Sequence, residues 1–409
     1  MKSKPLGIII ALVILFLMAN FSLIDNVIIK VNVDYERDNS ISKKGLKSSA
    51  NSGKIHIDNN WTTAKSFGIC TGSGNYSDPY VIEDLVIDGG GLGSCILIEN
   101  SDVFFKIENC TLHNSGGPFV YNYAGILLSN VSKGQLLNNS CYFNSYGIYL
   151  IDSPNITING NSVGKSDFGI TLYYSGLTTI SNNNVSLNDY GISLWDSDSN
   201  KIFKNFLTNN AYFGIRFFGN QNVVSENIVL NCNGGILAQR GHHNLITKNI
   251  ANKNAQGIYL DRSGNNTISQ NIASYNNHSG IRLFESRTNR LIKNVVNNNT
   301  INGIILTQNS NSNNVSKNNA TNNQYGIYLH FSNDNIVSGN GLIGNNVCIF
   351  EENCQGNDFY DNGDCIPSNN ENNNDKPPTL DFNIILLISG SIIVGIIVIT
   401  ELRKVRKRK

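Results

Sequence analysis

The first candidates for chemistry in this sequence are six side chains at the variable positions of a short repeat: Tyr173, Trp195, Phe218, Arg216, Asp261 and Arg282. Aromatic rings offer flat apolar faces on which a sugar ring can stack, and guanidinium and carboxylate groups bind hydroxyl or uronate oxygens. The set therefore predicts a ligand-binding surface for a glycan. Stacked aromatic residues also stabilise neighbouring strands without any ligand, and the sequence leaves that alternative open.

Asp261 and Glu285 are candidate catalytic carboxylates, with Arg282 beside them. They fall on consecutive repeats with an offset of one residue, and glycosidases use two carboxylates at a set separation. A polysaccharide hydrolase or lyase is therefore one alternative. The neighbouring Arg262 and Arg282 also fit a surface salt-bridge network. Because the sequence holds no complete catalytic set, it favours a non-catalytic protein.

Three aspartates near the end of the repeats, Asp358, Asp361 and Asp364, recur every third residue. Oxygen ligands in a loop that contains Gly363 could hold calcium. The alternative is a solvated acidic cap that prevents pairing at the edge of a sheet. Soft copper ligands are not predicted, since both methionines lie in the leader and the histidines are scattered. We predict no other cofactor.

The elements that must position these side chains are marked by the phrase Gly-Ile-X-Leu, which returns every 21 to 23 residues. Its glycines are Gly125, Gly147, Gly169, Gly191, Gly214, Gly235, Gly257, Gly280, Gly303 and Gly326. The alternation of apolar and variable positions predicts a strand whose Ile and Leu face the core. A period of this length is typical of a solenoid, in which each repeat packs only on its neighbours.

Asparagines also recur once per repeat, in two columns. The first column is Asn109, Asn139, Asn161, Asn183, Asn205, Asn227, Asn249, Asn271, Asn294, Asn318 and Asn340; the second includes Asn114, Asn144, Asn188 and Asn210. Asparagine tolerates the left-handed backbone of a sharp corner, and stacked amides can bond one another along the axis. Glycine at the head of each phrase suits a further tight corner.

This pattern resembles the short repeats of right-handed parallel β-helix proteins, both those similar to NosD and the broader carbohydrate-binding and sugar-hydrolase β-helix group. The resemblance covers about residues 80 to 352. It implies an all-β fold, a single-stranded right-handed parallel β-helix of about 12 turns. Similar chains with a C-terminal membrane span are common among archaeal surface proteins, which implies the same type here. The resemblance is informative about fold and uninformative about activity.

The sequence predicts six segments: a signal peptide or anchor (1–24), a polar stalk or cap (25–60), the β-helix (61–366), a flexible linker (367–381), a transmembrane helix (382–400) and a basic cytoplasmic tail (401–409). About 20 apolar residues suffice to cross a bilayer, and the basic tail should stay cytoplasmic. We therefore expect a protein of the cell membrane with its β-helix outside the cell.

The net charge of +1 and the low content of charged residues, 15%, argue against binding to nucleic acid. Eight cysteines fit an oxidising exterior, and Cys354 and Cys365 are the predicted disulfide pair. The predicted partners are the membrane, through the C-terminal helix, a polysaccharide or glycan, and other envelope proteins. A purely structural surface stalk is the third functional alternative.

Overall fold

The structure, a computed structural model, describes residues 53–116 and 123–365. Within these residues the chain coils into a parallel β-helix with three sheets, and each turn adds one strand to a sheet. All the strand pairs of the three sheets are parallel. The all-β solenoid of about 12 turns is therefore confirmed, since the first sheet contains 13 strands.

The first sheet carries the Gly-Ile-X-Leu phrase. Its strands are Ile55–Asp58, Ile96–Ser101, Ala124–Val131, Tyr146–Ile151, Phe168–Tyr173, Tyr190–Trp195, Phe213–Phe217, Gly234–Gln239, Gln256–Asp261, Ser279–Phe284, Asn302–Thr307, Tyr325–His330 and Val347–Glu352. Neighbouring phrases lie in register, so that Ile148 pairs with Ile170 and Leu150 with Leu172. These side chains are fully buried and form part of one continuous apolar core.

The second and third sheets close each turn. The second consists of Tyr80–Glu83, Phe105–Glu108, Gly134–Leu137, Thr157–Asn159, Thr179–Ser181, Lys201–Phe203, Val223–Ser225, Leu245–Thr247, Thr267–Ser269, Arg290–Ile292, Asn314–Ser316, Ile336–Ser338 and Asp358–Tyr360. The third consists of Val86–Asp88, Thr111–His113, Ser140–Tyr142, Ser162–Gly164, Asn184–Ser186, Phe206–Thr208, Ile228–Leu230 and Ile250–Asn252. Single bridges continue the third sheet to Gly341.

The first asparagine column forms a buried ladder of amides. Oδ1 of Asn227 accepts hydrogen bonds from N and Nδ2 of Asn205, at 3.0 and 2.9 Å. Its own Nδ2 donates to the carbonyl of Ile202 and to Oδ1 of Asn249. The predicted bonding along the axis is confirmed. The ladder satisfies backbone groups that the corner removes from the strand pairing.

Two details of the asparagine prediction are wrong. The left-handed residue at each corner is the one before the ladder position, for example Asn138 and Asn182, both with φ of 54°. Asn109 and Asn114 are such residues too, and the N–H groups that donate to Asn139 and Asn144 belong to Cys110 and Ser115. The ladder asparagines are thus selected for their buried amides and not for their backbone conformation.

Two further ladders were missed. Asparagines line one corner between the first and second sheets: Asn200, Asn222, Asn244, Asn266, Asn289, Asn313, Asn335 and Asn357. Serines line another: Ser153, Ser175, Ser197, Ser263, Ser286 and Ser310. Each turn therefore has more corners than the sequence predicts.

The glycines of the phrase are not corner residues with a left-handed backbone, which corrects the expectation above. A Cβ atom on Gly191 would lie 2.4 Å from the carbonyl oxygen of Gly214 and 3.1 Å from the Leu207 side chain. The same contact recurs up the column, as at Gly169, where the Gly191 oxygen would be 2.5 Å away. Glycine is required because successive turns approach too closely for any side chain.

The described β-helix begins earlier than predicted, with the strand Ile55–Asp58 in the segment assigned to a stalk or cap. The helix Trp61–Ser66 follows and buries Trp61, whose ring stacks on Tyr80 at 4.9 Å. Among the described residues no helix has the length and apolarity needed to cross a membrane. The predicted signal or anchor, linker, transmembrane helix and basic tail lie outside the described residues.

The predicted disulfide is wrong in one partner. Cys365 is bonded to Cys348, whose Cα atom lies 5.6 Å from its own, and not to Cys354. Cys354 continues the serine column instead, and its Sγ accepts a hydrogen bond from the backbone N–H of Ser332. Sequence spacing alone does not distinguish Cys348 from Cys354 as the partner, because the choice depends on which side chain points towards Cys365.

Candidate functional site

A row of stacked aromatic rings lies on the outer face of the first sheet, at the residue that precedes the glycine in consecutive phrases from Tyr146 to Phe213. Tyr146 stacks on Phe168 with a centroid distance of 4.8 Å, and Phe168 stacks on Tyr190 at 5.0 Å. The in-register pairing of these strands places the rings directly above one another. The row was missed by the sequence analysis, although an aromatic residue before the glycine was visible in several repeats.

A second aromatic row runs along the other side of the same face and consists of the predicted residues Tyr173, Trp195 and Phe218. Tyr173 pairs in register with Trp195, and the rings of Trp195 and Phe218 are stacked with centroids 4.3 Å apart. The structure therefore brings these three predicted residues together. All three side chains remain partly exposed.

The two rows border a cleft of about 210 Å³ that we call the aromatic cleft; its lining residues are Tyr146, Tyr149, Phe168, Thr171, Tyr173 and Trp195. The floor is formed at the X position of the phrase by Tyr149 and Thr171, which are only 8% and 3% exposed. Ser193, 1% exposed, continues this column on the next turn. The hydroxyls of Thr171 and Ser193 are buried and make no hydrogen bond within the protein. Apolar walls with a few polar groups on the floor are typical of small-molecule sites.

Arg216 occupies the next X position after Ser193 and closes one end of this surface. Its guanidinium carbon lies 4.2 Å from the ring centroid of Tyr190 and 4.5 Å from that of Trp195. Arg216 thus links the two aromatic rows. Burial against these rings lowers the pKa of Arg216, and the neighbouring Tyr190 opposes that change. Its Nε is buried without a hydrogen-bond partner.

Arg282 lies in the same outward column in a similar setting. Its guanidinium carbon is 5.2 Å from the Tyr259 ring and 5.7 Å from the Phe284 ring. Its Nε is also buried without a hydrogen bond. His278 lies near Arg282, and its pKa is lowered by burial and by the charge of Arg282. Arg282 therefore forms a second cation–π centre on the same outer face of the first sheet, beyond the aromatic cleft.

Asp261 and Glu285, the candidate catalytic carboxylates, are both ion-paired with Arg262. Nε of Arg262 lies 2.8 Å from Oε2 of Glu285, and its NH1 group lies 3.6 Å from Oδ2 of Asp261. Asp261 is buried and also accepts a hydrogen bond from Nε2 of Gln239. The structure thus places the two carboxylates around one arginine, as the salt-bridge alternative predicts.

Asp358, Asp361 and Asp364 are exposed on the last described turn. Within residues 53–116 and 123–365, no group of three or more histidine, cysteine or acidic side chains could hold a metal ion. These three aspartates are therefore not brought together in the structure as calcium ligands.

A larger cavity of about 310 Å³ lies near Asn100, Asn130 and Asp152. Its lining has no aromatic ring, and Asn100 and Asn130 already bond to each other. The aromatic cleft, although smaller, has the side chains suited to a sugar, and we take it as the candidate site.

The chain is thus a parallel β-helix protein with a cleft of small-ligand size on the outer face of its first sheet. The family model described as "right handed beta helix region" matches residues 69–221, 168–320 and 235–385. The chain belongs to this family. The three overlapping matches reflect the internal repetition, because one model fits the chain in several registers. A comparison with curated proteins found no match.

Solved structures with a similar chain path include three carbohydrate-related proteins. The periplasmic alginate epimerase AlgG is 16% identical, with a TM-score of 0.46 over 69% of this chain and 77% of its own. The A-module of a mannuronan C-5 epimerase of Azotobacter vinelandii is 15% identical, with a TM-score of 0.46 over 68% and 88%. The tailspike of E. coli bacteriophage HK620, in complex with a pentasaccharide, is 10% identical, with a TM-score of 0.42 over 66% and 60%.

Proposed function

We propose that the protein is a non-catalytic glycan-binding protein of the cell surface and that the aromatic cleft is its saccharide site. The observation that carries the proposal is the pairing of two aromatic rows, each containing stacked rings, across a buried floor that holds the unbonded hydroxyl of Thr171. The row of Tyr146, Phe168 and Tyr190 alone would be explained by strand stabilisation. Two rows that border an open cleft are not needed for that purpose.

The geometry suits a sugar in two respects. Partly exposed rings such as Tyr173 and Trp195 present apolar area to the C–H faces of a pyranose ring. Thr171 lines the cleft and its hydroxyl has no hydrogen-bond partner in the protein, so a sugar hydroxyl that reaches the floor would be its first partner. A ligand that satisfies buried polar groups gains affinity, since an unsatisfied group costs about 1–3 kcal/mol.

A glycan array with the purified protein tests this function. We expect binding to at least one glycan, and Trp195→Ala should weaken it about 10-fold, because a ligand ring stacked on an aromatic side chain contributes about 1–3 kcal/mol where nucleobases have been measured. Phe206→Ala is the matched control, since Phe206 is an exposed aromatic residue of the third sheet on a nearby turn. Absence of binding, or equal binding by both variants, would reject the saccharide site and favour a structural stalk.

Polysaccharide cleavage is the alternative function, and the same purified protein can be tested for it. Under our proposal Asp261 and Glu285 serve as partners of Arg262 and not as acid and nucleophile. Incubation with polysaccharides that bind on the array should release no new reducing or unsaturated ends. Turnover by the wild type that disappears in Asp261→Asn and Glu285→Gln would overturn the non-catalytic part of the proposal.

Cell-surface anchoring is proposed from the apolar segment 382–400 and the basic residues 401–409. A long apolar stretch followed by Arg and Lys fits a span with a cytoplasmic tail. Protease treatment of intact cells tests this orientation. An epitope in the β-helix should be cleaved, whereas an epitope after residue 409 should be protected. Protection of both epitopes would contradict the surface location.

A further inference from the structure

The two arginines on the outer face of the first sheet stand in one column with a fixed spacing. Arg216 pairs with Leu237, Leu237 with Tyr259, and Tyr259 with Arg282. The two guanidinium positions are therefore separated by three turns, which amounts to about 14 Å at the usual spacing of parallel strands. Leu237 and Tyr259 between them provide an apolar path along the sheet.

Neither arginine has a carboxylate partner among the described residues, since the ion pairs there do not include Arg216 or Arg282. The nearby carboxylates of Asp261 and Glu285 are both occupied by Arg262. Burial of a cation without a counter-charge is unfavourable, and the aromatic faces offset only part of the lost hydration. Each guanidinium also has a buried Nε that donates no hydrogen bond.

We infer that the ligand of this surface is an acidic polysaccharide that runs along the helix axis and places negative groups at both Arg216 and Arg282. This inference rests on the proposed glycan-binding function and adds to it the substrate class and the direction of the chain. Guanidinium groups recognise carboxylate and sulfate through charge-assisted hydrogen bonds. The aromatic cleft next to Arg216 then holds the sugar that precedes the first negative group.

A purely structural role for the arginines predicts different behaviour. If Arg216 only packed between Tyr190 and Trp195, its replacement would lower the melting temperature and change affinity for neutral and acidic glycans equally. If it binds an anion, its replacement discriminates between the two kinds of glycan. Arg216→Lys retains the charge and should keep part of the acidic preference, whereas Arg216→Gln should lose it.

The experiment is a titration of the purified protein with three sets of oligosaccharides of graded length: neutral, uronate-bearing and sulfated. We expect at least one acidic set to bind more tightly than the neutral set. Arg216→Gln should weaken that binding about 10-fold or more, because the variant loses the charge-assisted hydrogen bonds to the negative group. Arg290→Gln is the matched control, since Arg290 is an exposed arginine of the second sheet.

The length of the oligosaccharide distinguishes the contribution of Arg216 from that of Arg282. Arg282→Gln should have little effect on the shortest acidic oligosaccharides and should weaken binding only when the ligand spans three turns. An equal effect at every length would overturn the proposed direction of the chain. Equal affinity for neutral and acidic sets, unchanged by Arg216→Gln, would overturn the inference and leave the glycan-binding function standing. Failure to bind any set would reject both.

Discussion

Trp195 and Phe218 lie on adjacent turns with ring centroids 4.3 Å apart and ring planes inclined by 9°. The guanidinium carbon of Arg216 is 4.5 Å from the Trp195 centroid and 5.7 Å from that of Phe218. Because a parallel β-helix repeats its register at every turn, one favourable ring contact can be extended into a row. The same row serves as structural support and as a surface for a ligand.

The stacking of this pair can be measured apart from ligand binding. A double-mutant cycle with Trp195→Ala and Phe218→Ala should give a coupling of about 0.5–1.5 kcal/mol in the free energy of unfolding. Chemical denaturation of the four proteins provides the values. A coupling near zero would mean that the rings are adjacent without stabilising the sheet.

The asparagine ladder predicts a large effect from a small change. Asn227→Ala should lower the free energy of unfolding by about 2 kcal/mol or more, because it removes the acceptor of the buried backbone N–H of Asn205 and the donor to the carbonyl of Ile202. Asn184→Ala, at an exposed position of a neighbouring turn, is the control and should change stability by less than about 0.5 kcal/mol. Similar values for both variants would refute the energetic role of the ladder.

The glycine column predicts a steric effect that does not depend on φ. Gly191→Ala should destabilise the fold by about 1–3 kcal/mol or more, since its Cβ would lie 2.4 Å from the Gly214 oxygen. Gly68→Ala provides the contrast: Gly68 has a φ of 73°, yet a Cβ there meets nothing within 4 Å. Thermal melts of the two variants should rank Gly191→Ala lower. The reverse order would show that backbone conformation dominates.

The disulfide prediction distinguishes three cysteines. Peptide mapping of protein purified without reductant should find Cys348 linked to Cys365. Loss of this bond should destabilise the fold by about 3 kcal/mol, as expected for a closed loop of its length. Cys354→Ser should be tolerated, because serine occupies the same corner at Ser310 and Ser332. A peptide that links Cys354 to Cys365 would contradict the structure.

His278 predicts a dependence of stability on pH. Burial and Arg282 lower the pKa of His278 in the folded state, so the unfolded chain takes up a proton first as the pH falls below about 6.5. This residue therefore stabilises the fold above that pH and loses its contribution as the pH falls through the folded pKa. Denaturation of wild type and His278→Gln between pH 5 and 8 measures the difference, which should shrink at acidic pH. A parallel dependence in both proteins would exclude His278 as the cause.

The sequence identified the aromatic row of Tyr173, Trp195 and Phe218 because their spacing matches the repeat, and a parallel register converts equal spacing into contact. It missed the opposite row, Tyr146, Phe168 and Tyr190, although these residues are equally regular. The reason is that a glycine at the start of the strand suggests a tight corner. The residue before it was therefore not expected to lie on a face of the sheet. A cleft requires both rows, so the sequence alone predicted only one wall.

By itself the sequence determined the solenoid, the buried Ile and Leu columns and the asparagine ladder, since these depend only on periodicity and on the contacts between successive turns. Tertiary structure decided which cysteine is bonded to Cys365 and why Gly191 carries no side chain. It also decided that both candidate carboxylates are ion-paired with Arg262 and not with Arg216 or Arg282. These choices depend on the direction and distance of side chains across turns. A repeat length does not specify them, because residues at equal spacing can still point to different neighbours.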